Sequence, residues 1–175
     1  SMVGIMGLGG LGSVVAVALA RVGVGCMVLA DYDVVEPSNL NRQQYFIDQV
    51  GLKKTKAMQI NLARINPYIK VELFDGELNE DHNLLIFKDV DVLSECFDGA
   101  AMKATSLRAA LTSLPGVGYV GASGMAGFGR NNLIKTKKLY DHVYVVGDHE
   151  AEAQPGQGLM APRVGIAAHH QANQI

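Results

Sequence analysis

The sequence predicts an α/β protein with a Rossmann-like, doubly wound and mainly parallel sheet that carries an antiparallel C-terminal extension. Three features favour this fold class. Apolar runs of strand length alternate with segments of helical periodicity through residue 122. A glycine-rich turn joins the first apolar run to the first helical segment. Beyond residue 122, two short β-like runs follow one another without a helix between them, which indicates a hairpin or the edge of a mixed sheet.

The first part of the chain supplies three strands and two helices. Apolar runs that end at turn or polar residues predict buried strands at residues 2–6, 26–30 and 69–74. Apolar residues at helical spacing predict a helix from Leu11 to Val22, which Gly23 ends. Met58, Leu62 and Ile65 indicate a second helix, closed by the Asn-Pro pair at 66–67. Residues 32–44 lack periodicity and predict a loop.

The second part continues the alternation and then departs from it. A short helix is predicted at residues 81–88, a strand at 90–97 and a helix at 100–114. The two β-like runs lie at residues 133–136 and 142–146, and the last segment, 164–175, has helical character. Residues 148–158 have little to bury, so we expect a mobile loop there.

Length and composition restrict the class of protein. With 175 residues, of which 49% are hydrophobic, the chain is expected to form a single globular domain, 1–175, and not to be disordered. A net charge of -2 argues against a general nucleic-acid or anionic-membrane surface. The isolated Cys26 and Cys96 are expected to be buried reduced thiols, as is typical of a cytoplasmic protein. The first strand begins directly after Ser1, so we expect that a natural N-terminal segment has been removed.

The glycine-rich turn is the first candidate site. Gly7, Gly9, Gly10 and Gly12 follow a strand and open a helix, and Asp31 ends the next strand. In this pattern, backbone N–H groups approach phosphates at the helix N-terminus, and the carboxylate accepts hydrogen bonds from a ribose. The turn alone favours an NAD-dependent dehydrogenase, while a purely structural glycine turn is the weaker alternative.

The segment after Asp31 changes this interpretation. It ends in the sequence SNLNRQ at 38–43, which contains Arg42, and Lys54 and Asp98 follow on later elements. The carboxyl ends of the strands meet at one edge of a doubly wound sheet, so these side chains are expected to converge on the phosphates. Cations that neutralise two approaching anions, together with a carboxylate that holds Mg²⁺, favour attack of a carboxylate on the α-phosphate of ATP.

Several stretches carry a more specific resemblance. They are GLGGLGS at 7–13, ARVGVG at 20–25, DYDVVEPSNLNRQQYF at 31–46, GLKK at 51–54, INP at 65–67, ECFD at 95–98, GASGMAGFG at 121–129, GLMAPRVG at 158–165 and HHQAN at 169–173. Together they resemble the ThiF/MoeB/HesA family of ubiquitin-activating-like adenylyltransferases, most closely the ThiF type. SNLNRQ after such a glycine turn is the most specific of these matches.

The resemblance implies roles for individual residues. Gly10, with Gly7, Gly9 and Gly12, would surround the phosphates, and Asp31 would bind the ribose with Asp33 beside it. Ser38, Asn39 and Arg42 would line the triphosphate, Lys54 would contact it, and Asp98 would hold Mg²⁺. The implied substrate is the C-terminal glycine carboxylate of a ubiquitin-like sulfur carrier, ThiS of thiamine biosynthesis, which would enter beside residues 148–158. Members of the family are homodimers.

Three departures from the family pattern qualify these expectations. Two isolated cysteines cannot build a Cys₄ site, so we expect no zinc. Residues 121–175 contain no cysteine to link covalently to the carrier. The chain also starts at the first strand, before which relatives supply an arginine to their partner's site. Four alternatives stay open: adenylation of a MoaD-like molybdopterin carrier, an NAD-binding oxidoreductase, a nucleotide-binding scaffold and a tRNA-modifying dehydratase.

Overall fold

The computed structural model describes residues 1–78, 84–150 and 158–175, and its central feature is a seven-stranded sheet. The strands are β1 Met2–Met6, β2 Cys26–Asp31, β3 Lys70–Asp75, β4 Val92–Glu95, β5 Gly118–Ala122, β6 Lys135–Tyr140 and β7 Val143–Gly147. Their order across the sheet is β3-β2-β1-β4-β5-β7-β6. The first five strands and β7 pair in parallel, while β6 pairs antiparallel with β7. The predicted fold class is therefore confirmed, with its antiparallel extension at one edge.

Helices cover both faces of this sheet. They are α1 Gly10–Val22, α2 Lys54–Ile65, α3 Ala100–Ser113 and α4 Ala161–Gln174. Alternate residues of a strand face opposite sides, so Ile5 joins a core with α1, α2 and α4, whereas Met6 joins a second core with Phe87 and α3. Two cores on opposite faces are what the doubly wound arrangement requires. Among the described residues, no helix combines the length and the apolar character needed to cross a membrane.

The ends of the first two helices lie where the sequence places them. Gly23 adopts a φ of 90°, and the N–H of Val24 donates to the carbonyl of Leu19 at 3.1 Å, which completes the turn that closes α1. Asn66 leaves the helical conformation directly before Pro67 and ends α2. These helix ends could be predicted from the sequence because they depend on the conformation of the local backbone.

The structure differs from the predictions at three segments. The helix predicted at 81–88 is described only as a 3₁₀ turn over Leu84–Phe87, and residues 79–83 lie outside the described part. The strand predicted at 133–136 begins at Lys135, because Leu133 ends a 3₁₀ turn that follows Arg130 in the left-handed conformation. Of the loop predicted at 148–158, residues 151–157 lie outside the description, and the expectation of little burial is wrong at Asp148, whose side chain is buried against Arg163.

The order of the strands positions the site. β1 lies between β2 and β4, so the chain leaves β1 toward one edge of the sheet and later returns to its other side. In open α/β sheets such a switch point leaves a crevice at the carboxyl ends of the central strands. The glycine turn after β1 and the ECFD segment that contains the end of β4 both lie at this crevice.

Candidate functional site

A cavity of about 710 Å³ opens at the carboxyl ends of β1, β2, β4 and β5. This volume is in the range of small-molecule and cofactor sites. The predicted site residues that line it are Gly7, Gly9, Gly10, Asp31, Asp33, Asn39, Arg42, Lys54 and Asp98. The structure thus brings the glycine turn, both cations and the Asp98 carboxylate to a single cavity.

The glycine turn is shaped by close backbone contact. Gly7 has a φ of 89°, a conformation that glycine adopts without strain. A Cβ atom on Gly12 would overlap the carbonyl oxygen of Gly7, so Gly12 lies buried beneath the turn, where it allows α1 to approach β1. Gly9 precedes α1 and, having no side chain, leaves the N–H groups of the first turn available to an anion.

Asp31 ties the glycine turn to the end of β2. Its carboxylate accepts the N–H of Leu8 at 2.7 Å and the N–H of Asp33 at 2.8 Å. Burial raises the pKa of the Asp31 carboxyl, while the Asp33 N–H and the charge of Lys54 oppose that rise. The buried carboxylate therefore positions the backbone of the turn, in addition to the ribose contact that the sequence predicts.

The raised pKa of Asp31 gives a testable pH dependence. The folded state takes up this proton at a higher pH than the unfolded state, so the stability it contributes is present at low pH and is lost as pH rises through the folded pKa. We expect the free energy of unfolding of the wild type to increase relative to that of Asp31→Asn as pH falls toward the ordinary aspartate pKa. Urea unfolding at a series of pH values measures this difference. Asp48→Asn, on an exposed turn, is the control, and a pH-independent difference for Asp31→Asn would contradict the assignment.

The SNLNRQ segment presents some of its side chains to the cavity and turns others away. The Nη1 atom of Arg42 donates to the carbonyl of Ser38 at 3.2 Å and to Oδ1 of Asn41 at 2.8 Å. Asn39 is buried, and its Oδ1 accepts the N–H of Glu36 at 3.0 Å. Ser38 is exposed, donates its hydroxyl to Glu36 and lies outside the cavity lining. The carbonyl of Ser38 thus accepts a hydrogen bond from Arg42. The exposed position of Ser38 gives no support to the predicted contact between Ser38 and a triphosphate.

Two buried polar atoms near the glycine turn are unsatisfied. Nε of Arg42 and Oε1 of Gln43 have no hydrogen-bond partner within the described ranges, although both side chains line the cavity. Nε2 of Gln43 lies 3.8 Å from the position that a Cβ on Gly9 would take. Buried polar groups in proteins are normally satisfied, so these two atoms are free to bind water or a polar ligand in the cavity.

Lys54 is a buried cation at the start of α2. Its residue is 5% exposed, and its Nζ pairs with Oδ2 of Asp33 at 2.7 Å. The backbone supports this placement, since the N–H of Lys54 donates to the carbonyl of Asp33 at 3.0 Å. A lysine at this depth needs a partner, and the half-exposed Asp33 supplies one while leaving the ammonium at the cavity wall.

Lys103 is a cavity residue that sequence analysis missed. Its side chain is 20% exposed and its Nζ lies 3.0 Å from Oε1 of Glu95. Burial raises the pKa of Glu95, and Lys103 and the N–H of Phe97 oppose that rise. The available signal was a single lysine in an otherwise apolar first turn of α3, five positions after Asp98. Gln43 was also missed, although it is the last residue of SNLNRQ.

The carboxylate of Asp98 is the candidate metal ligand at the site. Asp98 is exposed and lines the cavity, where its oxygen atoms are of the type that Mg²⁺ prefers. Within residues 1–78, 84–150 and 158–175, no group of three His, Cys, Asp or Glu side chains could hold a metal ion. A magnesium ion shared between one carboxylate and substrate phosphates is compatible with this arrangement, because Mg²⁺ commonly binds through one or two carboxylates and phosphates.

The family of this chain follows from a comparison with protein-family models. The model of the ThiF family matches residues 1–175. The chain belongs to the ThiF family. A ubiquitin-like modifier-activating enzyme 5 from Arabidopsis thaliana is 50% identical to this ThiF-family chain over 72 residues, 41% of the chain and 17% of that relative. A molybdopterin-synthase adenylyltransferase from Haemophilus influenzae is 36% identical over 100 residues, 57% of the chain and 41% of that relative. The chain thus spans less than half the length of these curated relatives.

Solved structures support the fold of this ThiF-family chain. The E. coli tRNA N6-threonylcarbamoyladenosine dehydratase TcdA in complex with ATP has a TM-score of 0.84 at 24% identity, over 99% of this chain and 85% of that one. E. coli MccB with ATP has a TM-score of 0.74 at 25% identity, over 99% of this chain and 54% of that one. The predicted family membership is confirmed by the family model, which matches residues 1–175.

Proposed function

We propose that the chain is the ATP-binding domain of an adenylyltransferase that activates the C-terminal carboxylate of a ubiquitin-like carrier. The observation on which this depends is the convergence of Arg42, Lys54 and Asp98 on the cavity formed by the glycine turn. Relatives named as a ubiquitin-like modifier-activating enzyme and as a molybdopterin-synthase adenylyltransferase support the same chemistry. We further propose that residues 1–175 form one domain.

The reaction joins two anions. An oxygen of the carrier carboxylate forms a bond to the α-phosphorus of ATP, and the bond from that phosphorus to the oxygen bridging the α- and β-phosphates breaks. Pyrophosphate leaves with the electron pair, and the product is an acyl-adenylate. Arg42 and Lys54 would neutralise the approaching charges, and the N–H groups at the start of α1 would hold phosphate oxygens. This chemistry needs no nucleophilic side chain.

Asp98 is the residue that would hold Mg²⁺ in this proposal. The metal would supply charge neutralisation at the phosphates and the departing pyrophosphate. Asp98 follows the ECF segment after β4 and reaches the cavity from its exposed rim, so its carboxylate can meet phosphates held at the glycine turn. Asp31 keeps its carboxylate on the backbone N–H groups of Leu8 and Asp33, and it would add the ribose as a further donor.

The charge around the cavity favours ATP over NAD. Arg42, Lys54 and Lys103 line the cavity, and Nε of Arg42 is buried with no hydrogen-bond partner among the described residues. A triphosphate with its α-phosphate under attack concentrates more negative charge than the pyrophosphate of NAD does. The half-buried guanidinium of Arg42 and the buried ammonium of Lys54 beside one glycine turn therefore suit ATP better.

We propose a sulfur carrier of the ThiS type as the substrate, with a MoaD-type carrier as the alternative. The ThiS proposal comes from the sequence motifs, and the MoaD alternative is supported by the 36% identity to the molybdopterin-synthase adenylyltransferase. A homodimer located in the cytoplasm is part of the same proposal.

Exchange of labelled pyrophosphate into ATP, with ThiS or MoaD present, tests the proposal. We expect exchange with one carrier, and a fall of about 10²–10³-fold in Arg42→Ala, because one preorganised cation facing the developing charge is lost. Arg64→Ala, on the exposed end of α2, is the control and should exchange at the wild-type rate. Absence of exchange with both carriers, or equal rates for Arg42→Ala and the wild type, would count decisively against the proposal. ATP hydrolysis stimulated by tRNA would identify a dehydratase instead.

A further inference from the structure

A buried guanidinium joins three segments of the chain beside the cavity. Arg163, on the first turn of α4, is 3% exposed. Its Nη1 donates to the carbonyl of Gly129 at 2.6 Å and to the carbonyl of Arg130 at 3.2 Å. Its Nη2 pairs with the Asp148 carboxylate, which is also buried. Gly129 and Arg130 both have positive φ values, so the guanidinium fastens a sharply turned backbone.

Backbone hydrogen bonds connect the Asp148 segment to the wall of the cavity. The N–H of Asp148 donates to the carbonyl of Gly124 at 2.9 Å, and the N–H of His149 donates to the carbonyl of Ser123 at 3.2 Å. Gly124 has a φ of 74°, and a Cβ atom there would overlap Oδ1 of Asp148. The two backbone segments are thus in direct contact, and a shift of Asp148 must displace residues 123 and 124.

The segments that Arg163 joins also form part of the cavity. Residues 123–126 line it, and so does Val164, the neighbour of Arg163 on α4. Cγ1 of Val164 lies 3.1 Å from the position that a Cβ on Gly10 would occupy. The Arg163–Asp148 ion pair therefore fastens the wall at residues 123–126 to the first turn of α4.

We propose that Arg163 is a positioning residue that fixes the wall at residues 123–126, so that the carboxylate substrate enters the cavity in one orientation. This inference rests on the proposed function. The nucleotide contacts come from the glycine turn, Arg42 and Lys54, which Arg163 does not hold. Val164 keeps its place beside Gly10 through the backbone of α4, where its N–H donates to the carbonyl of Met160 at 3.0 Å, so it does not depend on the Arg163 side chain. We therefore expect Arg163 to act on the reaction of the carrier and to leave ATP binding unchanged. A misplacement of about 1 Å at a distant residue can cost about 10²-fold in rate, so a movable wall has a large effect.

The charge and the shape of Arg163 can be separated by substitution. Lysine keeps the positive charge, so Asp148 stays paired and the fold is retained, but a single ammonium cannot reproduce the planar fork that reaches a carboxylate and two carbonyls. Arg163→Met removes both the positive charge and the planar guanidinium. The Asp148 carboxylate then stays buried without the Arg163 cation, which threatens folding. Arg163→Lys is therefore the decisive variant, and Arg108→Lys on the exposed side of α3 is its control.

Three measurements on the full chain test the proposal. We expect Arg163→Lys to lower kcat of carrier-dependent pyrophosphate exchange by about 10²-fold, through the looser wall. The dissociation constant for ATP, measured by calorimetry, should stay at the wild-type value. Amide hydrogen exchange should accelerate at Asp148 and His149, whereas the amides of Leu8 and Asp33, held by Asp31, keep their protection.

Each other outcome overturns the inference. Weaker ATP binding together with lost protection at Leu8 and Asp33 would show that Arg163 supports the fold in general. Wild-type kcat and unchanged protection at Asp148 would show that the wall does not depend on Arg163. If the wild type itself shows no exchange with either carrier, the proposed function fails. The amide measurement still decides whether Arg163 holds the wall.

Discussion

Replacing Lys54 by methionine is expected to lower the rate of pyrophosphate exchange about 10²–10³-fold and to leave the protein folded. Lys54 lines the cavity with its ammonium 2.7 Å from Asp33, so its charge is fixed before any substrate arrives. A preorganised charge of this kind lowers the energy of an anionic transition state without reorganising at the moment of reaction.

The fold should survive because of the environment of the pair. Methionine has a similar length and is apolar, and it suits a site that is 5% exposed. Asp33 loses its cation, but its side chain is 47% exposed, so water can solvate the carboxylate. Circular dichroism and thermal unfolding of the variant check this expectation.

Lys53→Met is the matched control for this experiment. Lys53 is the preceding residue, but its side chain is 48% exposed, pairs with Asp75 and donates to the carbonyl of Tyr32, and Lys53 does not itself line the cavity. We expect this variant to exchange pyrophosphate at nearly the wild-type rate. Equal losses of activity in the two variants would contradict the role assigned to Lys54, since a general basic surface would then account for both.

Gly12→Ala is expected to destabilise the fold by at least about 3 kcal/mol or to prevent folding. The added Cβ would overlap the carbonyl oxygen of Gly7, which belongs to the backbone and cannot rotate aside as a side chain could. Relieving the overlap requires α1 to shift away from β1, where Leu11 and Val15 join the core with Ile5. Denaturant unfolding, or the yield of folded protein, measures the effect.

Gly9→Ala, in the same turn, is expected to weaken ATP binding and to change stability little. The nearest atom to a Cβ at this position is Nε2 of Gln43 at 3.8 Å, which is an ordinary contact distance. We therefore expect a change in stability below about 1 kcal/mol, together with weaker ATP binding, because the methyl group occupies space beside the phosphate-binding N–H groups. A large loss of stability in Gly9→Ala, or none in Gly12→Ala, would refute the assignment of a packing role to Gly12 and a ligand role to Gly9.

Much of the fold was predictable because its signals are local. The apolar runs at residues 2–6 and 26–30, the helical spacing after Leu11 and the stop at Gly23 depend on backbone sterics and periodicity within a few residues. Segments governed by distant contacts were less predictable. Asp148 lies in a stretch of polar and small residues that resembles a solvated loop, yet Arg163 of a later helix buries it.

The candidate site likewise contains residues that could be predicted from the sequence and residues that could not. The placement of Arg42, Lys54 and Asp98 at one cavity could be predicted because a parallel sheet gathers strand ends at one edge. Within SNLNRQ, however, the sequence did not distinguish Ser38, which faces solvent, from Gln43, which is buried at the cavity. That distinction depends on contacts just after the segment, where the N–H of Gln44 donates to Oγ of Ser13 and the hydroxyl of Tyr45 donates to the carbonyl of Leu8.

From the sequence alone we could infer the order of strands and helices along most of the chain, the glycine turn after β1 and the membership of the ThiF family. Only the tertiary structure decided that Lys103 pairs with the buried Glu95 and that Arg163 ties residues 129, 130 and 148 together. The physical reason is that a charged side chain in a helix has the same periodicity whether it is solvated or buried. Its role depends on the carboxylate that folding places beside it, and that partner can lie anywhere along the chain.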